Sequence, residues 1–356
     1  MAQIMTVQGS IESESLGITS MHDHILANFS HIFTAESGVS TSDNYPIDIN
    51  KDICIEDLSF LNELGYRAYN KHNWDLSDIS LMIRELEYFR QSGGVSILEA
   101  SAPGISRNIS ELKNISEITG VNIIASTGLY VKPTWPDKFC EMNESQYRYY
   151  LLKDLEKGID NTDICAGQIK AGIRTDSPDE LKFFKVTAEI SRLKNILTTV
   201  HASRNTGLDS RRKMLKILLD SEISPAKLLL CHIHFSFWEG DFISIFLEQQ
   251  NNKINLDWAH EVLDCGASIS IDCFGEYPRT WDTIRLTGLI RLIEEGYEDQ
   301  IVIGNDVYQK TMTRSFGGFG YSGILDFVIP ELKRFGISQE SISKITVENA
   351  RRLLEY

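Results

Sequence analysis

Several residues of the types that bind metals or carry protons fall at matched places along this chain. His22 and His24, in "TSMHDHIL" at 19–26, stand one residue apart just after the apolar stretch Leu16-Gly17-Ile18. Residues i and i+2 of a strand share a face, so these two imidazoles would sit side by side. Such a pair suits a metal ion better than a packed core; two surface histidines near a strand end is the plainer alternative. Further along, Lys170 ends "AGQIK", His201 follows "ILTTV", His232 follows "KLLLC" and Asp306 closes "IGND". Each alone has an ordinary reading: a hydrogen-bonded histidine, a helix-capping aspartate, a snorkelling lysine. Six of them at the ends of apolar runs point together to a metal site.

Lys170 narrows the kind of site. An ammonium cannot ligate and repels cations. Its neutral amine can react with CO₂ to give a carbamate, a bidentate anion able to bridge two metals. Two divalent ions bring four positive charges; carbamate, Asp306 and a bridging hydroxide bring three negative ones. The remaining positive charge would acidify the water and polarise a substrate carbonyl.

The elements that must position these residues are legible as alternating periods. Apolar runs at 18–22, 94–98, 121–126, 166–170, 196–200, 227–231, 267–272 and 301–304 read as strands, the one at 166–170 diluted by Gly and Gln. Between them lie amphipathic helices. Ile79, Met82, Ile83, Leu86 and Phe89 follow the helical period until Gly93-Gly94. Ser177, Pro178 and Glu180 form an N-cap, a first-turn proline and a capping box. About eight strand–helix units predict an α/β fold, a (β/α)₈ TIM barrel with chemistry at the C-terminal ends of its strands. The rival open doubly wound sheet lacks a G-x-G-x-x-G after an early strand. The expected organisation is a single domain over 1–356, with a long loop insertion around 26–76 that serves as a lid or pocket wall.

Composition excludes some functions. The net charge of −15 disfavours nucleic acid and anionic membrane surfaces. The six cysteines show no CxxC pair, which predicts reduced thiols and a cytoplasmic protein. The N-terminus has neither a basic start nor an apolar core of a signal peptide, and no apolar run approaches the roughly 18 residues of a membrane span.

The ordered set His-x-His, Lys, His, His, Asp resembles the phosphotriesterase-related family of the amidohydrolase superfamily. "TVQGSIESESLGITSMHDHIL", "GISRNISELKNISEITGVNIIASTGLY", "AGQIKAG", "GGFGYSGILDFVIPELKRFGIS" and "ITVENARRLL" extend the likeness over nearly the whole chain. The resemblance implies a binuclear hydrolase, usually zinc-dependent. It implies that His22 and His24 hold the more buried metal and His201 and His232 the more exposed one. Lys170 would bridge as N6-carboxylysine. Asp306 would bind the buried metal and shuttle a proton to the leaving group. Tyr130, in "STGLY", matches a tyrosine that related lactonases place near the exposed metal.

The chain also departs from that pattern. Asp23 replaces a glutamate between the two histidines and is expected to point away from the metals. His234 stands where many relatives carry a proton-transferring aspartate. Glu276 stands where relatives acting on phosphorylated sugar lactones have a basic residue, and an anion there is expected to repel a phosphate. Arg279 and Arg314 are left as candidate anion contacts, as is His234 for substrate binding. The expected activity is metal-dependent hydrolysis of a small carboxylic ester or lactone, with organophosphate or phosphonate esters as side substrates. A phosphorylated sugar-lactone hydrolase and an inactive metal-retaining scaffold are the alternatives, and a homodimer is the candidate assembly.

Overall fold

The computed structural model describes residues 2–32, 48, 50–64, 70–204, 206–238 and 254–356. A short antiparallel hairpin, β1 (Gln3–Thr6) and β2 (Gly9–Glu12), precedes the main fold. β3 (Thr19–Asp23), β4 (Ser96–Glu99) and β5 (Asn122–Ile124) then pair in parallel. A second parallel sheet runs through β6 (Ser126–Leu129), β7 (Gln168–Ile173), β8 (Thr198–Ala202), β9 (Leu228–Cys231), β10 (Ser268–Ile271) and β11 (Ile301–Ile303).

Two seams join these sheets into the expected barrel of eight parallel strands. Only Ala125 separates β5 from β6, so they are two parts of one barrel strand. At the other seam the Asp306 amide donates to the His22 carbonyl at 2.8 Å, and the His24 amide to the Val307 carbonyl at 3.3 Å. Gly304 permits this approach, because a Cβ there would stand 2.8 Å from the His22 nitrogen. Asp23 braces the same seam, accepting from the Val307 amide at 2.9 Å and from the Ser20 hydroxyl. It therefore points away from the cluster, as its sequence position predicts, and burial pushes its carboxyl up to about 8.

The barrel strands lie between an inner packed layer and outer helices, which is why they read as apolar runs rather than as alternation. Every residue of β4, β6, β7 and β10 is buried. The helix Ile79–Gln91 buries Leu81, Met82, Leu86 and Phe89 and is capped by Asp78, whose side chain accepts from the Leu81 amide. In the helix Pro178–Lys194, Ser177 accepts from the Glu180 amide and Glu180 accepts from the Ser177 amide. Both halves of the expected capping box are present. Observed strand bounds lie within three residues of the sequence expectation, and β9 ends and β11 begins where expected.

Of the long segment at 26–76, residues 33–47, 49 and 65–69 lie outside the described residues. Its two ends are tied together: the Phe29 amide donates to the Trp74 carbonyl and the Leu76 amide to the Ala27 carbonyl, both at 2.8 Å. None of the six cysteines is in a disulfide. Among the described residues no helix is long and apolar enough to cross a membrane.

Candidate active site

The strand ends converge as the barrel requires. His22 is the fourth residue of β3 and His24 follows that strand, and their ring centroids are 5.7 Å apart. The register between β3 and β4 shifts between Ser20 and Asp23, at this strand end. Both Nε2 atoms face the same carboxylate oxygen, Asp306 Oδ1, at 3.6 Å from His22 and 3.5 Å from His24. Lys170, wholly buried, places its Nζ 3.1 Å from His22 Nε2. His232 packs against both His22 and His201, its ring centroid 4.7 Å from that of His22 and 4.4 Å from that of His201.

All six sequence-predicted residues thus meet at one end of the barrel. Potential ligand atoms of His22, His24 and Asp306 lie within 4.8 Å of one another, as do those of His232, Asp272, Cys273 and Asp306. His201 belongs to neither group among the described residues. Its Nε2 faces the Tyr130 hydroxyl at 3.1 Å and the Ser203 hydroxyl at 3.5 Å.

Backbone geometry marks the same place. His232 (φ 58°), Cys273 (φ 62°) and Asp306 (φ 49°), which follow β9, β10 and β11, are all left-handed. For non-glycine residues this costs roughly 1–2 kcal/mol each. Three such turns in succession swing three polar side chains inward over the barrel.

Two partners that sequence reasoning missed orient the imidazoles. Asp272 accepts from His232 Nδ1 at 2.6 Å and from the His232 amide at 3.2 Å. That fixes the ring and leaves its buried Nε2 without a hydrogen-bond partner among the described residues. Glu99 accepts from the Ser101 hydroxyl at 2.5 Å, and Ser101 Oγ lies 2.9 Å from His24 Nδ1. A hydroxyl that donates to Glu99 can only accept from His24, so Nδ1 carries the proton and Nε2 is left as the open donor atom. Asp272 ends "ISID" and Glu99 ends "SILE". Asking what each strand ends with, extended to β4 and β10, finds both.

The electrostatics suit a metal centre. Burial first, and then neighbouring cations including Lys170, hold His22, His24 and His201 well below the ordinary histidine range. Neutral imidazole is the ligating form. Burial pushes Asp306 up to about 6 against the opposing pull of His232. Burial also works against Asp272, but His232 outweighs it and holds that carboxyl below its usual range. Lys170 has no carboxylate within ion-pair distance among the described residues. A buried cation without a counter-charge is costly. An orphaned imidazole nitrogen, converging neutral histidines and a shared carboxylate are the donor set a divalent cation requires.

A cavity of about 220 Å³ opens onto this cluster. Phe29, Trp74, Tyr130, Phe235 and Tyr308 supply aromatic wall; Arg174, Arg204 and Glu276 supply charge. Phe29 and Trp74 come from the segment expected to form a lid or wall. The anion contacts expected from sequence are replaced. Arg279 stacks on Phe319, 3.6 Å from the ring centroid, and Arg314 on Tyr88 at 4.8 Å, both by cation–π attraction. Neither lines the cavity; Arg174 and Arg204 do. His234 also lies off the cavity, 3.6 Å from Asp272 Oδ1 behind His232.

Glu276 does not behave as the isolated anion its position suggests. It is buried, bonded to Arg285, 3.3 Å from Arg204 Nη2, and accepts from the Tyr308 hydroxyl at 2.6 Å. Burial pushes its carboxyl up, but Arg204 and Arg285 outweigh that and hold it below the usual range. Its charge is therefore compensated, and the expected repulsion of a substrate phosphate does not follow.

Known proteins are similar to this chain over nearly its whole length. N-acetyltaurine hydrolase of Dictyostelium discoideum is 30% identical over 370 residues, covering 99% of this chain and 97% of that protein. N-acetyltaurine hydrolase of Mus musculus is 27% identical over 360 residues, covering 99% and 98%. Among solved structures, a resiniferatoxin-binding protein of Rhodobacter sphaeroides superposes with a TM-score of 0.85 at 25% identity, covering 99% of this chain and 94% of that one. A lactonase of Listeria monocytogenes shares the fold with a TM-score of 0.76 at 19% identity, covering 99% and 98%. The profile of the phosphotriesterase family matches residues 2–354, and the chain belongs to that family.

Proposed function

We propose that this protein hydrolyses a carboxyl-centred bond in a small molecule, an N-acyl amide in the first place, with carboxylic esters and lactones open to the same chemistry. The observation that carries this reading is the buried histidine–lysine–aspartate cluster at the floor of one aromatic cavity. The names of the full-length relatives favour an amide. Two divalent ions, zinc by the imidazole-rich donor set, would be held by His22, His24, His201, His232 and Asp306, with Lys170 bridging as a carbamate. When bound, such ions supply Lewis acidity and lower the pKa of water.

The remaining work belongs to the side chains. Glu99 through Ser101, and Asp272 directly, keep His24 and His232 in one tautomer and orientation. Asp306 takes the proton released as water attacks the carbonyl and returns it to the departing nitrogen or oxygen. One bond from water to the acyl carbon forms, the acyl–heteroatom bond breaks, and one proton crosses the site. The Tyr130 hydroxyl, which lies against His201, would donate to the developing oxyanion. Phe29, Trp74 and Phe235 exclude bulk water, which strengthens each of these interactions.

The test is a substrate panel on zinc-loaded and chelator-stripped protein: N-acetyltaurine, an aryl acetate, a lactone and a phosphorylated sugar lactone. The proposal expects metal-dependent turnover, fastest for the amide relative to its uncatalysed rate. Absence of metal-dependent turnover on every member would overturn it and favour a binding protein.

A further inference from the structure

Among the described residues, not every charged side chain on the cavity wall has an ion-pair partner. Arg204 is paired with Glu276 and lies over the Phe235 and Trp281 rings, at 4.6 and 5.6 Å from their centroids. Asp306 belongs to the histidine cluster. Arg174 differs. It lines the same cavity, its residue is exposed, and no carboxylate of the described residues is within ion-pair distance of its guanidinium.

Its placement is nonetheless built. Arg174 directly follows β7, the strand that carries Lys170. Its backbone amide donates to Glu180 Oε1 at 3.1 Å, and the Thr175 amide donates to Glu180 Oε2 at 3.2 Å. Glu180 is itself buried and locked into the capping box of the next helix. The turn is thereby fixed, and the Arg174 side chain lines the cavity. Tyr130, whose hydroxyl lies 3.1 Å from His201 Nε2, lines the same cavity as Arg174. A substrate whose carbonyl meets Tyr130 would lay its far end toward this guanidinium.

Resting on the hydrolase reading above, we propose that Arg174 is a specificity-determining residue that seats an oxyanion, a carboxylate or sulfonate, at the end of the substrate remote from the scissile bond. A planar guanidinium offers paired donors to either group. Arg204 and Glu276, paired with each other, add little net charge to the rest of the lining, so the Arg174 guanidinium is the uncompensated charge an anionic tail would meet there.

The experiment compares wild type with Arg174→Gln on three acetamides: N-acetyltaurine (sulfonate), N-acetyl-β-alanine (carboxylate) and the uncharged N-(2-methoxyethyl)acetamide. A hydrogen bond to a charged group is worth about 1.5–3 kcal/mol, which is roughly a 10- to 100-fold change. The ratio of kcat/KM for an anionic substrate to that for the neutral one should fall by that factor, mainly through KM. Arg174→Lys should recover part of the loss as a point charge. The sulfonate and carboxylate arms show which oxyanion is preferred. An unchanged ratio for both anions would overturn the assignment. If the wild type hydrolyses none of the three, calorimetric titration with N-acetyltaurine decides. Binding that weakens at least 10-fold in Arg174→Gln would keep the seat and reject hydrolysis of these amides; no binding, or binding indifferent to the substitution, would reject the seat.

Discussion

Replacing Asp306 by asparagine separates proton transfer from metal binding within one residue. The carboxylate is shared: Oδ1 faces His22 and His24 Nε2, and Oδ2 accepts from the Cys273 thiol at 3.1 Å. Asparagine keeps the shape and one oxygen. If that oxygen takes the Oδ1 position, one ligand contact survives while the amide nitrogen turns to Cys273. What is lost is the group that takes and returns the proton. General acid–base help is typically worth about 10²–10⁴-fold, or roughly 3–5 kcal/mol. The fall in kcat should lie in that range for an amide, whose leaving nitrogen must be protonated. It should be smaller, about tenfold, for an activated aryl acetate, whose phenolate leaves unaided. The assay is steady-state turnover of both substrates, with metal content measured on the same preparations. Equal rates for wild type and Asp306→Asn on both substrates, at equal metal content, would refute the assigned role and direct the search for the base to the other polar groups that line the cavity.

Other consequences follow from the same geometry. Lys170→Ala should lose metal and activity together, and bicarbonate should speed reconstitution of the wild-type apoprotein; elemental analysis and recovery kinetics check both. Asp272→Asn and Ser101→Ala remove the orienting partners of His232 and His24, so metal affinity should weaken about 10- to 100-fold, read by competition with a chelator. Glu276→Gln should destabilise the fold by about 3 kcal/mol at neutral pH, because it leaves buried Arg285 with Asp282 alone in place of two carboxylates. Since the folded carboxyl titrates below its unfolded value of about 4.3, that contribution is complete above this pH. It fades as pH falls through the folded value, so denaturation of the two proteins should converge in acid.

Much of the site is legible in the sequence because a parallel barrel turns strand order into a ring. Knowing that "AGQIK", "TTVH" and "LLLCH" are strand ends is enough to bring Lys170, His201 and His232 together. The strands themselves are readable because burial on both faces forces continuous apolar runs. What is not legible depends on loop geometry. Arg174 and Arg204 look no different in sequence from Arg279 and Arg314; only the fold shows that the first two line the cavity and the others lie on Phe319 and Tyr88. The sign at Glu276 was misleading for the same reason, since its compensating Arg204 and Arg285 are 72 and 9 residues away in the chain. Asp272 is hidden by its ordinary appearance: an aspartate after a strand normally caps a helix, and here it holds a histidine ring.

The central claim, a hydrolase that works through two metals gathered by these strand ends, is tested most directly by titrating zinc into metal-free protein with bicarbonate present while following hydrolysis of N-acetyltaurine. The rate should rise to a plateau at two equivalents of zinc per chain. A plateau at one equivalent would contradict the binuclear site, and a rate that stays at zero with both metals bound would contradict hydrolysis of this substrate.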